Sequence, residues 1–270
     1  MAEAVEPSTT REELPRFDRP KAVHGGRFLM GYAVVVLMVG AALVTLAVIS
    51  REGGSSNSIS ASSWAAWKPT EDGFQGVRQI AEHVAEQYKN ANGEQLAAVT
   101  ATPGEVQGLP LRYVAIRAGQ RSGLDQGDVR ILEPGETIVY AFCGLGGQRN
   151  CALPGRPSLE RSLLLRREAL ELTLYTLKHR GEVDSVISLL PPPAENQNLA
   201  VFLQRKHVED ALDKPLTATL PGTGPYFAGD LDQREAPTIN KYTELQFFRS
   251  GFELAPDQSV VLNLEVPTSS

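Results

Sequence analysis

Residues 140–179 read YAFCGLGGQRNCALPGRPSLERSLLLRREALELTLYTLKH, and they include both cysteines of the chain. The stretch begins inside TIVYAFC (137–143), whose β-branched and aromatic residues predict a strand. Its second half predicts a helix that begins after Pro157-Ser158 and stops at Gly181, where basic residues precede the glycine. The apolar face of this helix consists of Leu159, Leu163, Leu170, Leu174 and Leu177. A strand followed by a long helix indicates a domain of mixed α and β structure.

Cys143 and Cys151 form a C-x7-C motif. This spacing differs from the C-x-x-C of thioredoxin-like redox sites. Zinc takes four protein ligands, or three and a water, and two cysteines with scattered histidines do not make a convincing set. We therefore predict a disulfide between Cys143 and Cys151. A pair of free buried thiols is the main alternative, and a metal or redox role is the remaining one.

The four histidines, His24, His83, His179 and His207, have structural interpretations. His83 falls outside the apolar stripe of its helix and is expected on a solvated face. His179 lies at a helix end, where a positive group interacts favourably with the dipole. His207 has charged neighbours in QRKHVED and is expected to be exposed.

Motifs that carry catalysis or cofactor binding do not occur in this sequence. The GLGG of the cysteine loop lacks the G-x-G-x-x-G spacing and is not followed directly by a helix, and there is no Walker lysine. No G-x-S-x-G is present. The acidic turns GLDQGDV (123–129) and GDLDQRE (229–235) lack the twelve-residue calcium pattern. We predict a non-enzymatic protein with no catalytic residue, no cofactor and no metal site.

The segments on either side complete the fold prediction. An amphipathic helix is predicted over 74–90 from an apolar stripe at helical spacing. Further strands are predicted at 95–101, 111–118, 183–190 and 199–206, and in a C-terminal hairpin. Prolines and glycines indicate a long irregular loop over 213–240. The fold class is therefore expected to be α+β, with two main helices packed on a mainly antiparallel sheet.

Residues 28–49 read FLMGYAVVVLMVGAALVTLAVI and contain no charged residue. At about 1.5 Å per residue this run spans roughly 33 Å, close to the hydrocarbon thickness of a bilayer. It predicts a single transmembrane helix, with a cleaved signal peptide as the alternative. Four basic residues (Arg16, Arg19, Lys21, Arg27) precede the run, and only Arg51 follows it before Lys68, which places the N-terminus in the cytoplasm.

This span divides the chain into a predicted disordered cytoplasmic tail (1–27), the membrane helix (28–49), a Gly/Ser-rich linker (50–70) and an extracytoplasmic domain (71–270). Trp64 and Trp67 suit either an interfacial aromatic belt or the core of the outer domain, and we favour the core. The domain lies where disulfides persist.

The formal net charge of −6 argues against nucleic-acid binding, which requires a basic face. The layout of short tail, single span and outer α+β domain resembles accessory subunits of bacterial envelope machines, including conjugation-channel proteins, in architecture alone. We expect a cell-membrane protein that contacts the bilayer through residues 28–49 and acts as a scaffold or regulatory subunit with a protein partner in the bacterial envelope. The alternatives are an extracytoplasmic ligand-binding or sensing module and, less favoured, a cell-wall hydrolase.

Overall fold

The computed structural model describes residues 64–117, 129–133, 136–145, 151–193, 198–231 and 234–267. The predicted tail, the transmembrane segment 28–49 and linker residues 50–63 lie outside these ranges. Within them, none of the helices combines the length and the apolar character that crossing a membrane requires.

The helices are α1 (Gly73–Ala85), α2 (Leu159–His179), α3 (Arg205–Leu212), α4 (Leu216–Thr219) and α5 (Glu235–Thr243), and α5 continues into a 3-10 turn (Glu244–Gln246). The long helix α2 begins as predicted, because the Ser158 side chain accepts a hydrogen bond from the Arg161 amide and caps its first turn. Its last turn carries Lys178 and His179.

The strands are β1 (Tyr88–Lys89), β2 (Ala97–Pro103), β3 (Glu105–Val106), β4 (Leu109–Arg117), β5 (Val129–Leu132), β6 (Thr137–Gly144), β7 (Ser185–Leu190), β8 (Leu199–Gln204), β9 (Tyr226–Phe227), β10 (Phe247–Leu254) and β11 (Val260–Glu265). The main sheet has the order β2-β6-β7-β8-β10-β11-β4-β3, with β5 also paired to β4. Two short strands, β1 and β9, form a separate parallel pair.

The main sheet is mixed. Its neighbouring strands run antiparallel except for β6–β7 and β4–β11, which are parallel. The β6–β7 pair follows from the sequence quoted first, because α2 provides the crossover that two parallel strands need. The α+β class is confirmed, with a large mixed sheet and a few helices.

Each face of the main sheet has its own hydrophobic core. The helix-side core joins alternate residues of β6, such as Ile138 and Tyr140, to the buried faces of α1, α2 and α3. The strand-only core lies on the opposite face, where Val139, Ile187 and Phe202 pack with residues of β4, β10 and β11. All its described buried members are strand residues.

Several predictions of local structure are corrected. The first helix ends at Ala85, since Tyr88 and Lys89 pair as β1. The strand predicted over 199–206 stops at Gln204, where α3 begins. The 213–240 segment is not one irregular loop, because α4, β9 and the start of α5 lie within it. Burial explains this difference, since Leu216, Leu220 and Ile239 insert into the helix-side core.

Trp64 and Trp67 pack on the domain, as favoured by the sequence. Both rings meet Tyr175 edge-on, at centroid distances of 5.3 and 5.5 Å. They border the helix-side core. Both side chains therefore pack against the domain predicted over 71–270.

Candidate functional site

The candidate site is a cleft at the open end of the strand-only core. β10 pairs only with the first half of β8, through Phe247–Val201, Phe248–Ala200 and Arg249–Leu199. β10 begins at Phe247, so the second half of β8 has no β10 residue opposite it. A cleft of about 400 Å³ lies there, between β8, the 3-10 turn, β4 and β5. This volume is within the range of small-molecule sites, about 300–1,000 Å³.

The inner wall of the cleft is apolar. Phe202 and Phe248 are buried members of the strand-only core, and Ile116 and Val266 border that core. All four line the cleft, together with Phe247. A ligand in the cleft would therefore contact the hydrophobic core directly.

The polar side chains of the cleft are Arg130, Arg166, Gln204, His207, Glu244 and Gln246. Arg166 comes from α2, and its Nε donates to Thr243 Oγ1 at 2.8 Å. Its guanidinium lies over the Phe247 ring, 5.7 Å from the centroid. Its Nη2 is buried without a hydrogen-bond partner among the described residues. Burial lowers the pKa of Arg166, and Glu244 partly opposes this, but an arginine stays charged at neutral pH.

His207 has a structural role at the edge of the cleft. The Gln204 amide donates to its Nδ1 at 3.1 Å, which completes a capping box at the start of α3. Nδ1 is therefore unprotonated, and Nε2 carries the proton of the neutral ring. Burial, with Lys206 and Arg130 adding to it, lowers the pKa of His207 to about 4. The prediction of an exposed His207 was wrong, because the cap turns the ring inward.

The described lining contains no serine, threonine, cysteine or lysine. A nucleophile adjacent to a base is the usual start of covalent catalysis. Within the described ranges, no group of three or more His, Cys, Asp or Glu side chains is placed to hold a metal ion. The chemistry that the cleft offers is hydrogen bonding, positive charge and apolar contact.

A second polar cluster, centred on Arg167, lies sealed inside the helix-side core. Arg167 is fully buried. It pairs with Glu235 through Nε–Oε2 at 2.7 Å and Nη2–Oε1 at 3.1 Å. Its Nη1 donates to Glu171 Oε2 at 2.7 Å and to the Tyr88 hydroxyl at 2.5 Å. The guanidinium also lies 3.6 Å from the centroid of the Tyr226 ring. Burial alone would lower the pKa of Arg167, but its partners outweigh burial and raise it.

This cluster fixes the segment after α4 against α2. Glu235 Oε1 also accepts from the Gly222 amide at 2.6 Å, and the Tyr226 hydroxyl donates to the Gly222 carbonyl at 2.8 Å. One arginine thus holds α2, β1, β9 and the start of α5 together. We assign the Arg167 cluster a structural role, because its donors and acceptors satisfy one another inside the core.

Glu168 lies beside Arg167 in the chain but has no such partner. It is fully buried, and neither carboxylate oxygen has a hydrogen-bond partner among the described residues. Burial, and secondarily the charge of Glu171, raise the pKa of Glu168 well above its ordinary value. The neutral acid is therefore favoured in the folded state.

The disulfide between Cys143 and Cys151 is confirmed. The two Cα atoms are 4.3 Å apart, and both cysteines of the chain are used. The Gly144 amide donates to the Cys151 carbonyl at 2.9 Å. Gly144 is required by this close approach, because a Cβ there would collide with the Ala152 carbonyl. The disulfide joins the end of β6 to the approach of α2, away from the cleft.

Two other histidines are also less solvated than predicted. His83 stacks on Trp67 with ring centroids 3.9 Å apart, and burial lowers its pKa. His179 lies 5.8 Å from the Trp64 ring. Burial, then Lys178 and Lys68, lower the pKa of His179, which disfavours the charged form expected at this helix end. His24 lies outside the described residues.

No local sequence pattern indicated the cleft, because its lining comes from strands, helices and turns spread between Ile116 and Pro267. Two adjacent arginines in a leucine-rich helix, Arg166 and Arg167, were the one available signal. Comparison of the chain with family models, curated proteins and solved structures found no match.

Proposed function

We propose that this protein is a membrane-anchored, non-enzymatic regulatory module of the bacterial cell envelope, and that its outer domain binds a small ligand in the cleft. The observation that carries this proposal is the cleft itself. It combines an apolar wall that belongs to the core with a buried arginine donor that has no hydrogen-bond partner in the described part of the chain. Convergent polar groups in an apolar pocket are typical of ligand sites.

A thermal-shift screen of small metabolites against the full chain in phospholipid nanodiscs tests this proposal. A ligand at about one hundred times its Kd stabilises the folded state by about 2.7 kcal/mol, and the melting temperature rises accordingly. The variant Gln246→Trp fills the cleft and should abolish the shift. Glu209→Trp, at an exposed position outside the lining, should retain it. A screen without a hit, or a hit that persists in Gln246→Trp, would contradict the proposal.

A protein scaffold is the second candidate, and exposed apolar side chains near the cleft favour it. Val129 and Ile131 of β5 are 49% and 63% exposed, and Leu245 in the 3-10 turn is 61% exposed. Leu245 lines the cleft, whereas Val129 and Ile131 flank the cleft-lining Arg130 along β5 and point to the opposite face of that strand. Clustered exposed apolar groups are typical of interaction surfaces.

Photo-crosslinking on intact membranes separates the two candidates. A photoreactive residue at Ile131 should capture a reproducible envelope protein if the domain is a scaffold, whereas the same residue at Glu209 should not. If the photoreactive residue at Ile131 gives no reproducible crosslinked protein, the scaffold hypothesis is contradicted. A hydrolase receives no support from the cleft, since its described lining holds no hydroxyl or thiol nucleophile and a single carboxylate, whereas glycosidases use a pair.

A further inference from the structure

The charges around the cleft limit what it can hold. Arg130 and Arg166 are its cations and Glu244 is its anion, while His207 is neutral at physiological pH. The described lining therefore carries one net positive charge. A ligand with a single negative charge balances it, whereas a dianion would leave an excess of negative charge beside Glu244.

Arg166 is positioned to receive that negative charge. Its Nε is held by Thr243 Oγ1 at 2.8 Å, and its ring contact with Phe247 restricts the guanidinium plane. Its Nη2 remains buried and without a partner among the described residues. A buried donor without a partner costs free energy, and a ligand oxygen that accepts its hydrogen bond recovers that cost. Charge-assisted bonds of arginine to carboxylates are among the strongest in proteins.

The rest of the cleft favours an apolar ligand body. Phe202, Phe248 and Ile116 form the wall beyond Arg166, and they belong to or border the strand-only core. Apolar surface that leaves water against such a wall stabilises a complex by about 25 cal/mol per Å² before the costs of association.

We propose that the cleft binds a monocarboxylate with an apolar body, with the carboxylate on Arg166 and the body against the wall that includes Phe202 and Phe248. This inference rests on the proposed function and specifies its ligand class. Glu244 acts as the selectivity element, because its charge opposes ligands with two negative charges.

Calorimetric titration of the full chain in nanodiscs, with empty nanodiscs subtracted, tests the ligand class. The probe is 4-phenylbutanoate. Its matched controls are 4-phenylbutanol, which lacks the charge, and 3-phenylpropyl phosphate, which carries a second one. We expect the carboxylate to bind at least tenfold more tightly than either control. Equal or tighter binding of the alcohol or the phosphate would overturn the assignment, and so would the absence of binding by all three probes.

Variants locate the carboxylate. Arg166→Gln should weaken 4-phenylbutanoate binding about tenfold or more and leave the alcohol unchanged, since it removes a charge-assisted hydrogen bond. Arg112→Gln removes the same charge outside the cleft, where Arg112 pairs with Asp257 at the surface, and should change nothing. Wild-type affinity in Arg166→Gln would overturn the proposal.

Glu244→Gln provides an independent arm if Arg166→Gln does not fold. It should strengthen carboxylate binding several-fold and improve phosphate binding more, because the repulsion is removed. Unchanged affinities for both anions would contradict the role of Glu244. The metabolite screen could identify ligands whose thermal shift is abolished by Gln246→Trp but none of which is a monocarboxylate. In that case the proposed ligand class is wrong, while the proposed ligand-binding function stands. If the screen identifies none, the proposed function fails as well.

Discussion

Arg166 and Arg167 are consecutive residues of α2, yet they lie in opposite environments. Arg167 is fully buried, and its donors meet Glu235, Glu171 and Tyr88. Arg166 reaches the cleft, where its buried Nη2 has no partner among the described residues. An arginine side chain therefore stabilises the domain at position 167, whereas at position 166 it leaves a hydrogen-bond donor for a ligand. The difference arises because a satisfied buried charge fixes structure, whereas an unsatisfied one beside a cavity favours binding.

Truncation of each arginine in turn should have the largest effect and should separate their roles. Arg167→Ala leaves Glu171 and Glu235 buried without their cation, and removing one partner of a buried pair costs about 3–5 kcal/mol. Arg166→Ala should cost at most about 1 kcal/mol, since it removes one bond to Thr243 and leaves no buried charge. Urea unfolding of the full chain in detergent, followed through Trp64 and Trp67, measures both.

The surface variant Arg112→Ala is the control for loss of charge alone, because exposed ion pairs contribute about 0–1 kcal/mol. Similar losses in Arg166→Ala and Arg167→Ala would show that the two arginines have the same role. That result would contradict the assignment of a structural role to the Arg167 cluster and a binding role to Arg166 in the cleft.

Removal of the disulfide tests whether domain stability and ligand binding can also be separated at β6, whose residues contribute to both cores. Replacing both Cys143 and Cys151 with serine opens a ring of about nine residues and should cost roughly 2–3 kcal/mol on the chain-entropy model. Ligand binding in the cleft should not change, since neither cysteine lines it. The same urea titration measures the loss of stability, with reduced wild type as the matched sample. Stability equal to that of the oxidised wild type would contradict the prediction.

Glu168 is a second test of the helix-side core, since its buried carboxyl group has no hydrogen-bond partner among the described residues. Glu168→Leu removes an unpaired polar group of similar size and should stabilise the domain by about 1–2 kcal/mol near pH 7. The raised pKa of Glu168 means that the wild type loses stability as pH rises above the ordinary value for glutamate. The advantage of Glu168→Leu should therefore grow with pH in unfolding titrations between pH 5 and 8. Glu168→Leu less stable than the wild type at pH 8 would contradict this.

The elements predicted correctly are those whose signals are local. The capped start of α2, its leucine face from Leu163 to Leu177 and the β-branched strands beside it are contained in short windows of sequence. Leu159 was wrongly assigned to that face, since it is 86% exposed. The disulfide followed from motif elimination. The main errors concern 213–240 and the histidines, where tertiary burial outweighed composition. Prolines predicted a loop, but Leu216 and Ile239 are core residues.

The cleft and the Arg167 cluster could not be predicted, because their members meet only in the folded chain. Arg167 and Glu171 have the i, i+4 spacing of a helical ion pair, which suggests a surface pair. Nothing local indicates Glu235 or Tyr88 as further partners. The strands that frame the cleft are also weak signals, since β5 has only four residues. The cleft depends on where β10 begins relative to β8, which is a property of the sheet.

His207 lines the cleft, and its titration should have the smallest effect on stability. Its pKa of about 4 in the folded protein is below the ordinary 6.5, so the unfolded chain takes up its proton first as pH falls. The domain should therefore lose stability between pH 6.5 and 4, by about 1 kcal/mol at pH 5, since solvent at the half-buried ring reduces the effect. His207→Gln lacks the titrating group and should lose less over the same interval. Unfolding titrations at pH 7.5 and 5 compare the two. Equal losses would show that His207 does not titrate as the cap requires, because protonated Nδ1 cannot accept from the Gln204 amide.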